Sequence, residues 1–217
     1  MIDVVLTSAF FNMVKIAEPL GLSYLAAVLR QKGFSVEIIE LSVEGWSIEE
    51  TVSYLKQIPC KVLGISLHRD KNLTSTKDFV NLIRKSGIQA FICIGGHGPS
   101  IGVTNNLLEY KELGQMINCY ILGEGEISFT NLVEAIVKGK EWRNINGVAY
   151  VNNGDFIINP RPEKIKDLDK IPFMERDILG KYISKYGNNI PASILLSRGC
   201  AYKRCTYCTV VAYENLQ

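Results

Sequence analysis

Three cysteines near the end of the 217-residue sequence have the spacing of ligands for a metal ion or cluster. Cys200, Cys205 and Cys208 form a C-x₄-C-x₂-C pattern within the stretch SRGCAYKRCTYC. A [4Fe–4S] cluster is usually held by four thiolates, so three thiolates leave one iron open to a substrate. A structural zinc site normally closes with a fourth ligand, for which His68 and His97 are distant candidates. The pattern therefore favours an iron–sulfur cluster, with an incomplete zinc site as the alternative.

The other cysteines stand apart from one another. Cys60, Cys93 and Cys119 each lie within or beside an apolar stretch, where a free cysteine behaves as a small buried hydrophobic residue. We expect these cysteines to be core residues. In a reducing cytosol, clustered cysteines are instead typical of metal binding or catalysis.

Composition restricts the classes of partner. The 24 Lys and Arg are scattered among 22 Asp and Glu, which gives a formal net charge of +2. This balance argues against nucleic acid and against an anionic membrane surface. The first residues lack the features of a signal peptide, and no apolar run approaches the roughly 18 residues of a membrane-spanning helix. With 47% hydrophobic residues, we expect a cytoplasmic protein with one well-buried domain and part of another.

Apolar runs rich in β-branched residues predict five strands buried on both faces, namely DVVLTS, SVEIIEL, KVLGISL, QAFICIGG and NCYILG. Helical patterns lie between and after them. The first begins near Pro19 and stops at Gly33, and the second begins with a capping box of Ser47 and Glu50. Three more follow around TSTKDFVNLIRKSG, GVTNNLLEYKELG and ISFTNLVEAIVKGK. The alternation predicts an α/β fold with a doubly wound, five-stranded parallel sheet of flavodoxin or Rossmann type.

The loops after the strands are where ligands bind in such a sheet. The third strand leads into Ser66, His68 and Arg69, the fourth into GGHGPS (95–100), and the fifth into GEGE (123–126). Glycines at strand ends let the backbone approach a ligand, and the next helix offers free N–H groups. The dinucleotide fingerprint G-x-G-x-x-G is absent from the first turn. The sequence therefore argues against a plain dinucleotide enzyme.

The order of these motifs resembles the N-terminal part of cobalamin-binding radical S-adenosylmethionine (SAM) enzymes. The resemblance runs from EPLGLSYLAAVLRQKG through VLGISL, CIGGHGPS, YILGEGE, INGVAYVNNGD and LDKIPF to SRGCAYKRCTYC, so it covers almost the whole chain. It implies that a flavodoxin-like domain holds cobalamin and that the cysteine loop opens a partial (β/α) barrel. There a [4Fe–4S] cluster would bind SAM. The complete enzyme would carry out methyl transfer or related radical chemistry.

The resemblance also implies roles for individual residues. Cys200, Cys205 and Cys208 would ligate the cluster, and Tyr207 would lie beside the adenine of SAM. The residues that would line the cobalamin groove are Ser66, Gly95, Gly96, Gly123, Glu124 and Gly125. Placement at strand ends makes His68, Arg69 and His97 further candidates for contact with cobalamin.

The sequence departs from the family pattern at several points. Arg204 adds one residue to the usual C-x₃-C-x₂-C motif, and His97 stands one place early in a loop that usually reads GG-x-H-P. The first loop also lacks the D-x-H-x-x-G motif that supplies a cobalt-ligating histidine in other cobalamin proteins. We therefore expect cobalamin to bind without a histidine below the cobalt.

The motifs divide the chain into three regions. We expect residues 1–140 to form the cobalamin-binding domain, 141–190 a connector with the β-hairpin VAYVNNGDFII, and 191–217 the start of the radical SAM domain. PASILLS is apolar on both faces and predicts the first strand of a barrel.

A complete barrel takes about 250 residues, so we expect a truncated form of such an enzyme. Its partners would be small-molecule cofactors and either the rest of the barrel or an electron donor. Two alternatives stay open. One is a stand-alone cobalamin-binding module without activity, and the other is a flavodoxin-like nucleotide or flavin binder with a zinc site.

Overall fold

The computed structural model describes residues 1–8, 18–68, 72–162, 164–202 and 204–208. The strands are β1 (Ile2–Ser8), β2 (Val36–Ile39), β3 (Cys60–Ser66), β4 (Phe91–Gly95), β5 (Cys119–Ile121), β6 (Val148–Asn152) and β7 (Asp155–Ile158). The helices are α1 (Leu20–Gln31), α2 (Leu41–Glu44), α3 (Ile48–Gln57), α4 (Leu73–Lys85), α5 (His97–Thr104), α6 (Leu108–Met116), α7 (Gly125–Val137) and α8 (Asp177–Tyr186). None of the helices in these ranges is long and apolar enough to cross a membrane.

The strands form one sheet with the order β2-β1-β3-β4-β5-β6-β7. The first five strands are parallel and have the strand order of flavodoxin, so the predicted α/β class is confirmed. The sheet is nevertheless mixed and seven-stranded, because β6 and β7 add to it in antiparallel orientation. Asn153 and Gly154, with φ of 50° and 87°, form the two-residue hairpin turn. The predicted hairpin therefore forms and extends the sheet beyond β5.

Helices cover both faces of the sheet. On one face, α1, α7 and α8 pack through side chains such as Leu29, Phe129 and Tyr182. On the other face, α3, α4 and α6 pack through side chains that include Phe79 and Leu113. The doubly wound arrangement is therefore confirmed, and burial of both faces explains why the parallel strands are continuous apolar runs.

Helix ends follow the local sequence. Ser47 and Glu50 form the predicted capping box, in which each side chain accepts a hydrogen bond from the other residue's backbone N–H. The single helix expected in GVTNNLLEYKELG is instead two helices, α5 and α6. Asn106 has a φ of 57°, and the N–H of Leu107 donates to the carbonyl of Gly102 at 2.9 Å. This left-handed C-cap ends α5.

The strand expected in PASILLS is wrong, because residues 191–197 form neither helix nor strand. The N–H of Ser193 donates to the buried carboxylate of Glu18 at 3.0 Å, and the carbonyl of Ser193 accepts from Arg176 at 3.0 Å. Arg176 also donates to Glu18. These side chains satisfy the backbone groups of Ser193 that a neighbouring strand would otherwise satisfy.

The isolated cysteines lie in the sheet. Cys93 of β4 and Cys119 of β5 are register partners and are 2% and 1% exposed, so both are core residues as predicted. Burial raises the pKa of Cys119, and a hydrogen bond with Cys93 raises it further. Cys60 begins β3, is only partly buried, and packs against the core. Burial raises the pKa of Cys60 to about 11.

Candidate functional site

The carboxyl ends of three neighbouring strands lie level with one another. Ser8 of β1 pairs with Ser66 of β3, and Ser66 pairs in turn with Gly95 of β4. Parallel β5 lies next to β4, so the glycine-rich turn that begins at Gly123 opens at the same edge. The sheet therefore collects the loops that the sequence marks as functional.

The loop after β4 requires glycine at position 96. Gly96 has a φ of 108° and a ψ of −172°, a conformation that only glycine adopts readily. A Cβ on Gly96 would lie 2.7 Å from the carbonyl oxygen of Leu67. The N–H of Leu67 donates to the carbonyl of Gly95 at 2.9 Å. The loops after β3 and β4 are thus in direct backbone contact.

Ser100 connects the loops after β4 and β5. This residue lies fully buried in the first turn of α5. Its Oγ donates to the carbonyl of Gly96 at 2.9 Å and accepts from the N–H of Gly123 at 3.0 Å. The loops GGHGPS and GEGE therefore lie side by side at one end of the sheet.

A cavity of about 600 Å³ lies at this edge, between the sheet and the helices α1 and α7. Its volume is typical of sites for small-molecule ligands. Seven of the ten residues proposed to contact a cofactor line it, namely Ser66, Gly95, Gly96, His97, Gly123, Glu124 and Gly125. The apolar part of the wall includes Leu6, Leu22, Leu25, Ile65, Ile121 and Phe129. The arrangement combines exposed glycine backbone with an apolar interior surface.

Residues from the C-terminal part of the chain complete the cavity wall. Lys164, Ile165, Leu195 and residues 197–199 all line it. Residue 199 directly precedes Cys200, so the cavity and the cysteine motif are adjacent in the fold. Sequence reasoning did not identify these residues, although a lone arginine between the apolar run SILLS and the first cysteine is a usable signal.

Arg198 makes ion pairs with both carboxylates of the GEGE turn. Its Nη1 lies 3.3 Å from Oε1 of Glu124, and its Nη2 lies 2.5 Å from Oε1 of Glu126. The ring of Tyr24 on α1 has its centroid 5.7 Å from the guanidinium carbon, within the range of a cation–π contact. Burial lowers the pKa of Arg198, but the hydrogen bond to Glu126 and the charges of both carboxylates outweigh burial and raise it. The guanidinium therefore remains charged.

The two histidines lie together at this edge. The Nδ1 atoms of His68 and His97 are 3.1 Å apart, which is a hydrogen-bonding distance. Of the two, His97 lines the cavity, and His68 contacts His97 from outside the cavity wall. Loss of water around its ring lowers the pKa of His97, which favours the neutral imidazole. Arg69, predicted at the same place, lies outside the described residues.

The three cysteines of the C-terminal motif are each half-buried. The N–H of Cys208 donates to the carbonyl of Cys205 at 3.3 Å, so a turn connects the last two. Within the ranges that the structure describes, no three Cys, His, Asp or Glu side chains lie close enough to hold a metal ion. Tyr207 is 89% exposed and is not part of the cavity wall. The cluster ligands and the SAM contact of Tyr207 stay predictions.

Comparison with known families gives one match over most of the sheet. The B12 binding domain family matches residues 7–133, which is more than half of the chain. The match begins near the end of β1 and ends within α7, so it contains both glycine-rich loops and the residues of the cavity wall from Leu20 to Phe129.

Two curated relatives are similar along most of this chain. An uncharacterized methyltransferase of Pyrococcus horikoshii is 28% identical over 193 residues, which are 88% of this chain and 40% of that protein. The hopanoid C-3 methylase of Methylococcus capsulatus is 30% identical over 198 residues, which are 88% of this chain and 36% of that protein. The chain thus spans two fifths or less of the length of these relatives.

Solved structures share the fold. One is the cobalamin-dependent SAM radical enzyme OxsB, solved with aqua-cobalamin and SAM bound. Its TM-score is 0.77 at 22% identity, and the match covers 96% of this chain and 28% of OxsB. The radical SAM methyltransferase TsrM of Kitasatospora setae, solved with cobalamin and a [4Fe–4S] cluster, has a TM-score of 0.63 at 20% identity. That match covers 78% of this chain and 30% of TsrM.

Proposed function

Because this chain belongs to the B12-binding domain family, we propose that the cavity at the carboxyl edge of its sheet holds cobalamin for a radical SAM enzyme. The observation that carries the proposal is the composition of the cavity wall. It combines the two glycine-rich loops with residues 197–199, which lead into the cysteine motif. A cofactor in this cavity lies beside the cysteines. OxsB, which has the same fold, is solved with both cobalamin and SAM bound.

The residues of the cavity fit such a cofactor. Gly123 lines the cavity, yet a Cβ added to it would meet no atom within 4 Å, so a side chain there would take up space that a ligand uses. The apolar wall suits the aromatic base that cobalamin carries on its nucleotide arm. Backbone groups of Gly95 and Gly96 suit the polar edges of the cofactor.

Methyl transfer or related radical chemistry is the activity that we propose for the complete protein. Cobalamin supplies a cobalt-bound methyl group in such reactions, and the relatives named methyltransferase and methylase support this assignment. The described residues contribute binding and orientation, and the apolar wall excludes water from the cofactor. We assign the cluster to Cys200, Cys205 and Cys208, since three thiolates leave one iron open for SAM.

The three regions of the chain keep separate roles in this proposal. We assign cobalamin binding to residues 1–140 and the cluster to residues 191–217. Residues 141–190 connect them, with β6 and β7 extending the sheet and α8 packing against it. The rest of a barrel or an electron donor is the partner that the half-buried cysteine motif would require.

Anaerobic titration with hydroxocobalamin tests the proposed function. The purified chain is expected to change the absorption spectrum of the cofactor and to retain it through gel filtration. After reduction to Co(II), electron paramagnetic resonance should show no nitrogen splitting from a protein imidazole. A chain that binds flavin mononucleotide but not hydroxocobalamin would contradict the proposal and favour the nucleotide-binding alternative. Zinc retained in place of iron after reconstitution would favour the zinc site.

A pair of matched variants locates the bound cofactor. Gly123 and Gly154 have φ of 82° and 87°, and an added Cβ at either residue meets nothing within 4 Å. Leucine therefore strains the backbone equally at both, by about 1–2 kcal/mol. We expect Gly123→Leu to weaken hydroxocobalamin binding at least tenfold, because its side chain enters the cavity, and Gly154→Leu to bind like the wild type. Equal affinities in the two variants would place the cofactor elsewhere.

A further inference from the structure

The chain around the cysteine motif is positioned by side chains and not by secondary structure. Residues 193–208, here called the cysteine segment, contain neither helix nor strand in their described part. Two of their large apolar side chains, Leu196 and Tyr207, are 84% and 89% exposed. Hydrogen bonds and ion pairs therefore contribute to holding the segment in place. At its start, Ser193 is held by Glu18 and Arg176.

Among the described contacts between the cysteine segment and the rest of the fold, that of Arg198 lies nearest to Cys200 in sequence, two residues before it. The side chains of Arg198 and Glu126 are 21% and 10% exposed, so their pairing is shielded from water and stronger than a surface ion pair. A guanidinium has several donors in a fixed plane, which lets Arg198 bind Glu124 as well. Glu124 also accepts from the N–H of Ile165 at 3.3 Å.

The pairing joins parts of the molecule that already have fixed positions. Glu126 lies in the first turn of α7, where the helix dipole favours a negative charge. Tyr24 belongs to α1 and packs against the guanidinium. Arg198 is therefore held from two helices and from the turn after β5.

We propose that Arg198 is a positioning residue that fixes the cysteine motif beside the cobalamin cavity by pairing with Glu124 and Glu126. The proposal rests on the proposed function, since it assumes cobalamin as the ligand. All three residues line the cavity, so a bound ligand packs against the pair and stabilises it. Because this linkage is reciprocal, ligand binding and the placement of Cys200 strengthen each other.

Removal of Arg198 would break the coupling between ligand binding and the placement of Cys200. Two carboxylates would be left close together without their cation, one of them in a largely buried place. The cysteine segment would keep its contact at Ser193 but lose the one nearest the cysteines. Cobalamin in the cavity would then no longer restrict the motion of Cys200.

The test measures alkylation of Cys200 by iodoacetamide in the full chain, with and without saturating methylcobalamin in the dark. Mass spectrometry of peptides gives the rate at each cysteine, and absorbance confirms that the cofactor is bound. We expect methylcobalamin to slow alkylation of Cys200 at least fivefold in the wild type and less than twofold in Arg198→Gln. Arg198→Lys, which keeps the charge but not the planar fork, should be intermediate. Cys60 in the sheet serves as the internal reference.

Two further variants control the test. Arg143→Gln removes an arginine whose ion pair with Glu141 is more than half exposed, and it should protect Cys200 like the wild type. Glu126→Gln removes the pair from the opposite side and should reproduce the loss of protection, which keeps the test decisive if Arg198→Gln does not fold.

The outcomes separate the two proposals. Protection of Cys200 in Arg198→Gln and Glu126→Gln equal to that in the wild type would overturn the role of Arg198. So would a wild-type chain that binds methylcobalamin without protecting Cys200. A wild-type chain that does not bind methylcobalamin at all would contradict the proposed function instead.

Discussion

The cysteines of the sheet and those of the cysteine segment are placed by different means. Cys93 faces Cys119 because the backbone register of β4 and β5 sets them opposite each other, and burial keeps both out of contact with water. Cys200, Cys205 and Cys208 lie in a segment without such a register, whose position depends on the side-chain contacts of its neighbours. Backbone pairing gives a fixed place that needs no ligand. A position that depends on side-chain contacts can change when a ligand binds.

Bound iron should show the largest difference between the two sets. After anaerobic reconstitution, Cys200→Ala, Cys205→Ala and Cys208→Ala are each expected to lose most of the iron, because a cluster with one open iron needs all three thiolates. Cys93→Ala and Cys119→Ala should keep the iron content of the wild type. Metal analysis of the five variants gives the result. Similar losses in both sets would remove the basis for a cluster at the C-terminal motif.

We expect Cys60 to be alkylated about a hundredfold more slowly than an ordinary thiol. Burial raises the pKa of Cys60 from 9.0 to about 11, so its reactive thiolate is about a hundredfold scarcer at pH 8. Cys205, which is half-buried outside the sheet, serves as the comparison in the chain without cofactors. Iodoacetamide labelling followed by mass spectrometry measures both rates. Equal rates would mean that β3 does not shield its first residue as described.

Backbone contacts should also fix the positions of the strand-end loops, as they fix those of the sheet cysteines. Gly96→Ala places a Cβ against the carbonyl of Leu67 in a conformation reserved for glycine, at an expected cost of about 3 kcal/mol in the free energy of unfolding. Gly139→Ala is the matched control, since its φ is 64° and nothing lies within 4 Å of the added Cβ. Its expected cost is about 1 kcal/mol. Urea unfolding measures the difference, and equal costs would refute the close approach of the two loops.

The smallest effect is expected at the opposite end of the sheet. Asp3 accepts from Lys61 at 2.9 Å and from the N–H of Ser35 at 3.0 Å, and these hydrogen bonds lower its pKa below 3.8. The carboxylate therefore stabilises the fold above pH 3.8, and this contribution disappears as the pH falls through the lowered pKa. Since Lys61 is 37% exposed, solvent screening limits the cost of Asp3→Asn to about 1 kcal/mol at pH 7.

Urea unfolding at a series of pH values measures this contribution. Wild type and Asp3→Asn should converge toward pH 2, whereas a difference that does not change with pH would exclude the carboxylate as its source. Hydroxocobalamin binding should be equal in both, because Asp3 lies at the start of β1 and the cavity lies at its end.

Much of the sheet and of its functional edge could be predicted because the relevant signals are local. A buried parallel strand is a continuous apolar run, and chain order alone brings residues such as Ser66 and Gly95 to one edge. PASILLS has the same apolar pattern but lacks a described neighbour with which to pair. Asn153 and Gly154 marked the hairpin, yet its place beside β5 depends on tertiary packing, which no local pattern encodes.

The part of the cavity wall that Arg198 forms could not be predicted either, because it too depends on tertiary packing. Arg198 and Glu126 are 72 residues apart in the chain, and no periodicity relates them. The sequence showed an acidic turn and an arginine near a cysteine as separate features. Only the packed structure makes them partners, because α1, α7 and the turn after β5 have to be in place first.

The contact between His68 and His97 has a consequence for hydrogen positions. With 3.1 Å between their Nδ1 atoms, a single hydrogen lies between the rings. The neutral ring that donates it has a bare Nε2, and the neutral ring that accepts it carries a hydrogen on Nε2. Two doubly protonated rings would put two hydrogens into one gap, so the pair holds at most one positive charge. The tautomer of one ring therefore sets the tautomer of the other. When one Nε2 takes up a proton and the other Nε2 releases one, the hydrogen between the Nδ1 atoms moves across and the two rings exchange tautomers.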